Sequence, residues 1–211
     1  MRCITREFRD TGTDFNLSPE HWISSETASR LAGATTLESI VQTVSQVTCP
    51  PEGARFVMDT TNARDGLLDL PVLSNPVSGR VSAKKTAQEG DIIISRLRPY
   101  LRQVALIPPG ASDLLSQDNF FCSTEFFVFR RKDGGDAGGL VAWLLSEPIQ
   151  RMMHEAATGG HHPRINVDLL LRAPVEDHFL DPKFSASISC ILARHLQGQR
   201  ELLVLLRHGP R

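Results

Sequence analysis

The chain has 211 residues, 41% of them hydrophobic, enough to bury one sizeable core and short enough that one domain plus an appendage is the expected layout. Its 23 basic residues face 24 acidic ones, a formal net charge of −1. That argues against the uniformly basic surface of many nucleic-acid binders, so any cationic site has to be built locally.

The four cysteines, Cys3, Cys49, Cys122 and Cys190, are far apart, with no Cys-x-x-Cys pair and no histidine at metal-ligand spacing. They read as reduced, mostly buried thiols. Charges such as Arg2, Arg6, Arg9 and Asp10 run through the first thirty residues, which hold no apolar stretch of signal-peptide or membrane-span length. A cytoplasmic protein without membrane contact is expected.

In chain order, residues 1–35 form a polar lead-in with Trp22 as a candidate anchor. Thr36 to Val47 has a helical or mixed pattern, with Leu37, Ile40, Val41 and Val44 at helix spacing, Thr35 or Thr36 as N-cap, and Cys49-Pro50-Pro51-Glu52-Gly53 as its stop. From Arg55 to Arg130 short strands are expected at Arg55–Met58, Gly90–Ser95, Val104–Ile107 and Phe126–Phe129, with a loop over Asn62–Gly66. The succession Ile92, Ile93, Ile94 suits a strand covered on both faces. Lys132 to Gly139 reads as a flexible loop. Two helices follow, Leu140–Leu145 and Glu147–Ala156, the second capped by Ser146 with Pro148 in its first turn and Ile149, Met152, Met153 and Ala156 as core. Asn166 caps a short turn, and Asp181-Pro182-Lys183 is a solvated linker. A long helix then runs from Lys183 to Arg207, weakened at Gly198 by about 1 kcal/mol relative to alanine.

Three places carry chemistry. In Gly90–Leu101 an apolar strand runs into a cationic turn, where Arg96 and Arg98 share a face if the chain stays extended, Pro99 ends regular pairing, and Tyr100, the only tyrosine, can stack on a base or hold an arginine. The competing reading is a strand end with solvated arginines. Between Arg80 and Arg102 the basic residues Arg80, Lys84, Lys85, Arg96, Arg98 and Arg102 face only Glu89 and Asp91. The second place is Thr158-Gly159-Gly160-His161-His162-Pro163-Arg164. Its glycines suit a left-handed cap, and its imidazoles and guanidinium suit a phosphate strand, the alternative being a plain cap with two solvated histidines. Adjacent histidines rarely converge on one ion, so no metal is expected there. The third is Glu125, expected to bind backbone or Arg130 beside the core rings Phe126, Phe127 and Phe129. No nucleotide or cofactor fingerprint and no catalytic constellation is present: Asn75-Pro76-Val77 lacks the second proline and the aromatic of an amine-methylating motif.

Three segments in order resemble one family, the DNA-specificity subunit of type I restriction-modification systems. They are Gly90–Leu101 continued through Pro108, Cys122–Arg130, and Ala157–Ile165 followed by Ala173-Pro174-Val175, and the likeness spans roughly residues 37 to 207. The resemblance implies an α/β (α+β) domain with a twisted, partly barrel-like sheet flanked by helices, over residues 36–180, and a spacer and dimerisation helix over 181–211. It implies a non-catalytic chain that binds duplex DNA and directs a DNA methyltransferase subunit, which would use S-adenosylmethionine, and in some systems a restriction subunit. Family members typically carry two recognition domains, so this chain resembles a half-subunit and is expected to form a homodimer by coiled-coil pairing of its last helix. The expected DNA-facing residues are Lys84, Lys85, Arg96, Arg98, Tyr100, Arg102, His161, His162 and Arg164; the expected interface is Phe184, Ile188, Ile191, Leu192, Leu196, Leu203 and Leu206. Rival classes are a stand-alone DNA-binding or adaptor protein of the same fold, and an enzyme using the Gly159–His162 loop on a phosphorylated substrate.

Overall fold

The computed structural model describes residues 35–51, 56–70, 82–117 and 119–208, which belong to one compact unit, Thr35–Arg211. The lead-in through residue 34 with Cys3 and Trp22, the Asn75-Pro76-Val77 tripeptide and Arg80 lie outside the described residues. Among the described residues the strands are β1 (Val41–Thr43), β2 (Val47–Thr48), β3 (Val57–Met58), β4 (Ala63–Arg64), β5 (Leu67–Leu68), β6 (Lys84–Ala87), β7 (Ile92–Ser95), β8 (Val104–Leu106), β9 (Phe120–Cys122) and β10 (Phe126–Arg131). The helices are α1 (Leu37–Ile40), α2 (Ala111–Leu115), α3 (Gly138–Leu145), α4 (Glu147–Glu155), α5 (Val167–Leu171) and α6 (Pro182–His208).

The central layer is a four-stranded sheet in the order β1-β10-β7-β8, all neighbours antiparallel. Its side chains sort with the period of two that a pleated strand imposes. Ile92 and Ile94 of β7, Val104 and Leu106 of β8, and Phe127 and Phe129 of β10 turn to a core shared with α3, α4 and α5. Ile93, Ala105, Phe126 and Val128 turn to a second core on the opposite face, shared with Met58, Ala87, Phe120 and Cys122. Those last residues come from the second sheet, ordered β2-β6-β9-β3. The isoleucine triplet is thus covered on both faces, as its composition predicts. Both sheets are open among the described residues, so the barrel-like expectation is corrected: β1 and β8 remain edges.

Several local expectations are also narrowed or corrected. Of the helical or mixed pattern over 36–47 the structure has the mixed one: Leu37–Ile40 is helical and Val41–Thr43 then pairs with Arg131–Phe129 as an edge strand, because β-branched Val41 and Thr43 gain more from the ladder than from helix spacing. Asn62–Gly66 is not a plain loop. Asp65 and Gly66, at φ 49° and 90°, make a two-residue turn between β4 and β5, and Gly66 bonds to the free edge at Val104 and Leu106. Gly138 and Gly139 are no flexible loop either. They open α3, where the Asp136 carboxylate accepts from Gly138 N at 2.8 Å, and they lie so close to the start of α6 and the turn before it that a Cβ at Gly139 would sit 2.6 Å from Ser185 Oγ and 2.0 Å from the Phe179 carbonyl oxygen. Cys122 is buried, but Cys49 and Cys190 are exposed, contrary to the mostly buried reading.

The long helix begins at Pro182, and Asp181 is its cap rather than linker, accepting from Phe184 N at 2.7 Å. Its inner face is Ser185, Ser189, Leu192, Leu196, Gln199 and Leu203. Ser185 Oγ accepts from Gly139 N, Ser189 Oγ donates to Asp136, and Gln199 clips the β5 edge by accepting from Leu70 N at 2.8 Å and donating to Leu68 O at 3.1 Å. Leu192, Leu196 and Leu203, expected at an intermolecular interface, instead turn inward, Leu192 and Leu196 buried in the chain's own cores and Leu203 packed against the second. Among the described residues no helix is long and apolar enough to cross a membrane.

Candidate nucleic-acid interface

β7 ends at Ser95, whose hydroxyl ties Leu97 N and O into a tight bend, and the chain leaves the sheet as Arg96-Leu97-Arg98. Here it meets the loop that follows α4. Arg98 N donates to Pro163 O at 2.8 Å and Ile165 N to Arg96 O at 2.9 Å, while Thr158 and Arg164 exchange both main-chain bonds at 2.9 and 2.8 Å, with Gly159 at φ 105° turning the loop. Two segments some sixty residues apart are therefore zipped by main-chain hydrogen bonds, whatever their side chains do.

This pairing brings Arg96, Arg98, His162 and Arg164 together. Arg98 Nη2 lies 2.9 Å from His162 Nδ1; a guanidinium can only donate, so Nδ1 accepts and the imidazole proton resides on Nε2. Arg98 Nε is buried with no hydrogen-bond partner among the described residues. Arg98 itself is left-handed, φ 49° and ψ 63°, and so is Arg102 at φ 52°; between them Pro99–Leu101 forms a single 3₁₀ turn. Backbone strain of this kind at two non-glycine residues marks a turn held by its surroundings.

Glu125 sits at the centre. Its carboxylate accepts from Arg96 Nε at 2.9 Å and takes a two-pronged contact from Arg164, Nη2 at 3.1 Å and Nε at 3.3 Å. The Arg164 bonds, joined by those of Arg96, hold the Glu125 carboxyl below its ordinary range against the upward push of burial. The expectation that Glu125 binds Arg130 is corrected: Arg130 makes a fork to Asp91, at 2.7 and 2.8 Å, and that carboxylate is wholly buried. Arg130 lies five residues along β10 from Glu125, about 16 Å at the usual rise, and by alternation on the face of Phe126 and Val128, which puts it out of reach of the turn where Glu125 stands.

The other predicted residues are placed as follows. Lys85 donates to Phe126 O at 2.6 Å with its ammonium 5.9 Å from the Phe127 ring centre, and burial lowers its pKa. It lies close enough to Arg96 and Glu125 for their charges to act on it. Lys84 is its neighbour on β6 and so projects from the opposite face. Arg102 turns away from the His162 loop, bonding Asp65 Oδ1 at 2.6 Å and reaching the Leu145 carbonyl at the end of α3. Tyr100 is 52% exposed, stacks on no arginine among the described residues, and meets His154 edge-on at 6.4 Å. His161 is exposed. The partners missed in the sequence are Asp65 for Arg102 and the Pro163 and Thr158 carbonyls of the zip. Asp65-Gly66 is a strong hairpin dipeptide and was legible as a turn.

On the last helix the outward face carries Phe184, Ile191, Leu202, Val204, Leu205 and Leu206, with Ile188 half-buried beside them. Phe184, Ile188, Ile191, Leu202 and Leu205 follow one alternation of four- and three-residue steps that passes through the exposed His195 and Gly198.

In three-dimensional comparison the chain is similar to the HsdS subunit from Thermoanaerobacter tengcongensis, with 19% identity and a TM-score of 0.48 over 79% of this chain and 43% of that one. It is likewise similar to a chain from a structure on complex assembly and conformational transition of the type I R-M system, with 20% identity and a TM-score of 0.47 over 76% and 43%. The chain spans less than half the length of either. No protein-family model and no curated protein matches it.

Proposed function

We propose that the chain is a target-recognition module that binds double-stranded DNA as the non-catalytic specificity subunit of a type I-like restriction-modification or methyltransferase complex. The observation that carries this reading is the main-chain zip between Arg96–Arg98 and Pro163–Ile165, which holds guanidinium and imidazole groups from two remote loops on one surface. Donors arranged in this way suit successive phosphates of a duplex and fix the protein's register, while bases are read by other side chains. The three sequence segments that resemble the specificity-subunit family are the β7 turn, the turn that carries the chain from β9 into β10, and the His162 loop, and they meet at this surface. In this reading residues 36–180 are the recognition domain, and S-adenosylmethionine belongs to a methyltransferase partner.

The outward face of α6 supports pairing with a second copy. The helix has 27 residues, about 40 Å at the usual rise, and its outward four- and three-residue spacing, apolar except at His195 and Gly198, is that of a coiled-coil seam. The partner-facing set is then Phe184, Ile191, Leu202, Leu205 and Leu206, with the part-buried Ile188 at its edge, since Leu192 and Leu196 are buried within the chain and Leu203 packs against its second core. The phosphate-enzyme reading is disfavoured by the partner of His162, which is Arg98 rather than a carboxylate. Mapping methylated positions in genomic DNA from cells with and without this gene tests the main reading. Loss of methylation at one sequence motif is expected; an unchanged methylation map, with no duplex selected by the purified chain from a random pool, overturns it.

A further inference from the structure

We propose that Glu125 is a built-in counter-anion that latches Arg96 and Arg164 in the free protein and yields them to DNA phosphates on binding. The inference rests on the DNA reading above and concerns how that surface is kept from gripping any polyanion.

Two arginine–carboxylate contacts among the described residues differ in how water reaches them. Asp91 is wholly buried under Arg130, so this pair is permanent. Glu125 retains 27% side-chain exposure, and Arg96 and Arg164 retain 41% and 45%, so water and a ligand reach all three. Solvated pairs of this kind add little net stability and exchange partners readily. A phosphate offers the same two-oxygen edge that Arg164 now finds on Glu125, so exchange preserves the geometry of the guanidinium fork.

Positioning the loops does not require the carboxylate. Arg98 N to Pro163 O, Ile165 N to Arg96 O and the Thr158–Arg164 pair join them through main chain alone. What Glu125 changes is charge: it offsets one of the two guanidiniums it holds. Arg98, by contrast, contacts His162 and has no carboxylate contact among the described residues. Arg98 is therefore the ready grip, and Arg96 and Arg164 engage as Glu125 lets go. Lys85, beside Arg96 and Glu125, remains held by the Phe126 carbonyl.

The test uses the full chain and labelled duplexes of two unrelated sequences, with binding followed by fluorescence anisotropy across a salt series. Glu125→Gln keeps the shape and one acceptor but removes the charge; it is expected to tighten binding to both duplexes by about 1.5- to 5-fold per released pair. Arg164→Gln is expected to lower the magnitude of the salt slope by about 0.9, because Arg164 sits on a phosphate in the complex. If E125Q binds equally or more weakly, or R164Q leaves the slope unchanged, the latch is refuted and Glu125 is a structural clamp. A misfolded E125Q, recognised by its melting curve, leaves the R164Q slope to decide. If neither wild type nor either variant binds duplex DNA, the DNA reading fails and the latch with it; wild-type binding without the E125Q gain removes the latch alone.

Discussion

Arg98→Ala separates a phosphate contact from a structural role. The main chain at this position is fixed by Arg98 N to Pro163 O and by Leu101 N to Arg98 O, and neither bond involves the side chain. Alanine meets the left-handed conformation with the same Cβ that arginine has, so the backbone strain is unchanged. What is lost is the contact to His162, and what is relieved is a buried Nε without a partner; stability should therefore move by no more than about 0.5 kcal/mol, the ordinary range for a surface change. Binding should respond differently. One phosphate contact contributes about 0.9 to the slope of log K against log salt. Over a fourfold rise, from about 50 to about 200 mM, that share amounts to about a 3.5-fold loss of affinity that wild type suffers and R98A does not. The advantage of wild type over R98A should thus shrink by that factor across the series, equally for two unrelated duplexes, while Arg98→Lys keeps the slope. Parallel salt dependences at equal affinity would show that Arg98 is structural and leave the cationic surface without its central contact.

Gly139→Ala should lower the melting temperature and expose α6 to limited proteolysis, because the added carbon would meet the Phe179 carbonyl oxygen at 2.0 Å; the expected cost is about 1–3 kcal/mol, and an unchanged melting curve refutes the close crossing. Asp91→Ala strands Arg130, whose side chain is 30% exposed, so the loss should lie near the lower end of the range for a broken buried pair, about 3 kcal/mol by denaturant unfolding; a loss under about 1 kcal/mol would mean that Arg130 finds another partner. On the acid side, Arg164 holds the Glu125 carboxyl below its ordinary range and Arg131 does the same for Asp133. The folded chain thus binds these protons less tightly than the unfolded one. Their stabilisation is complete above the ordinary carboxylate range and is lost as pH falls through the depressed folded values, so the melting temperature should be flat above about pH 5 and fall below about pH 4. An acid limb of equal steepness in Asp133→Asn would discount Asp133. Replacing Leu202 and Leu205 by glutamate should convert a dimer to a monomer in light scattering without unfolding the domain, since both are exposed; an unaltered mass removes α6 as the pairing element.

Local chemistry made much of this architecture readable. Three successive isoleucines announced a strand covered on both faces, Asn166 capped its helix as its side chain allows, accepting from Asp168 N at 3.1 Å, and the helical stretches over 140–145, 147–155 and 183–207 were visible from apolar spacing. Short strands were harder. Lys84–Ala87 and Phe120–Cys122 show too few alternations to stand out, and Val41–Thr43 was hidden in a pattern that helix and strand both satisfy.

Which group pairs with which was not readable, for a physical reason. Periodicity reports that a side chain is buried or cationic, but the choice of partner is made by loops closing over long sequence separations. Arg130 and Arg164 are equivalent as cations; the sheet gives one to buried Asp91 and the 158–164 loop gives the other to Glu125. In the same way Leu192 and Leu202 are equivalent as apolar helix residues, and only the docking of α6 on the β5 edge and α3 assigns one to the core and leaves the other facing outward. Composition and pattern determine the elements and the charges available, and tertiary closure determines which charges remain free to meet a ligand, because burial and pairing are properties of neighbours in space.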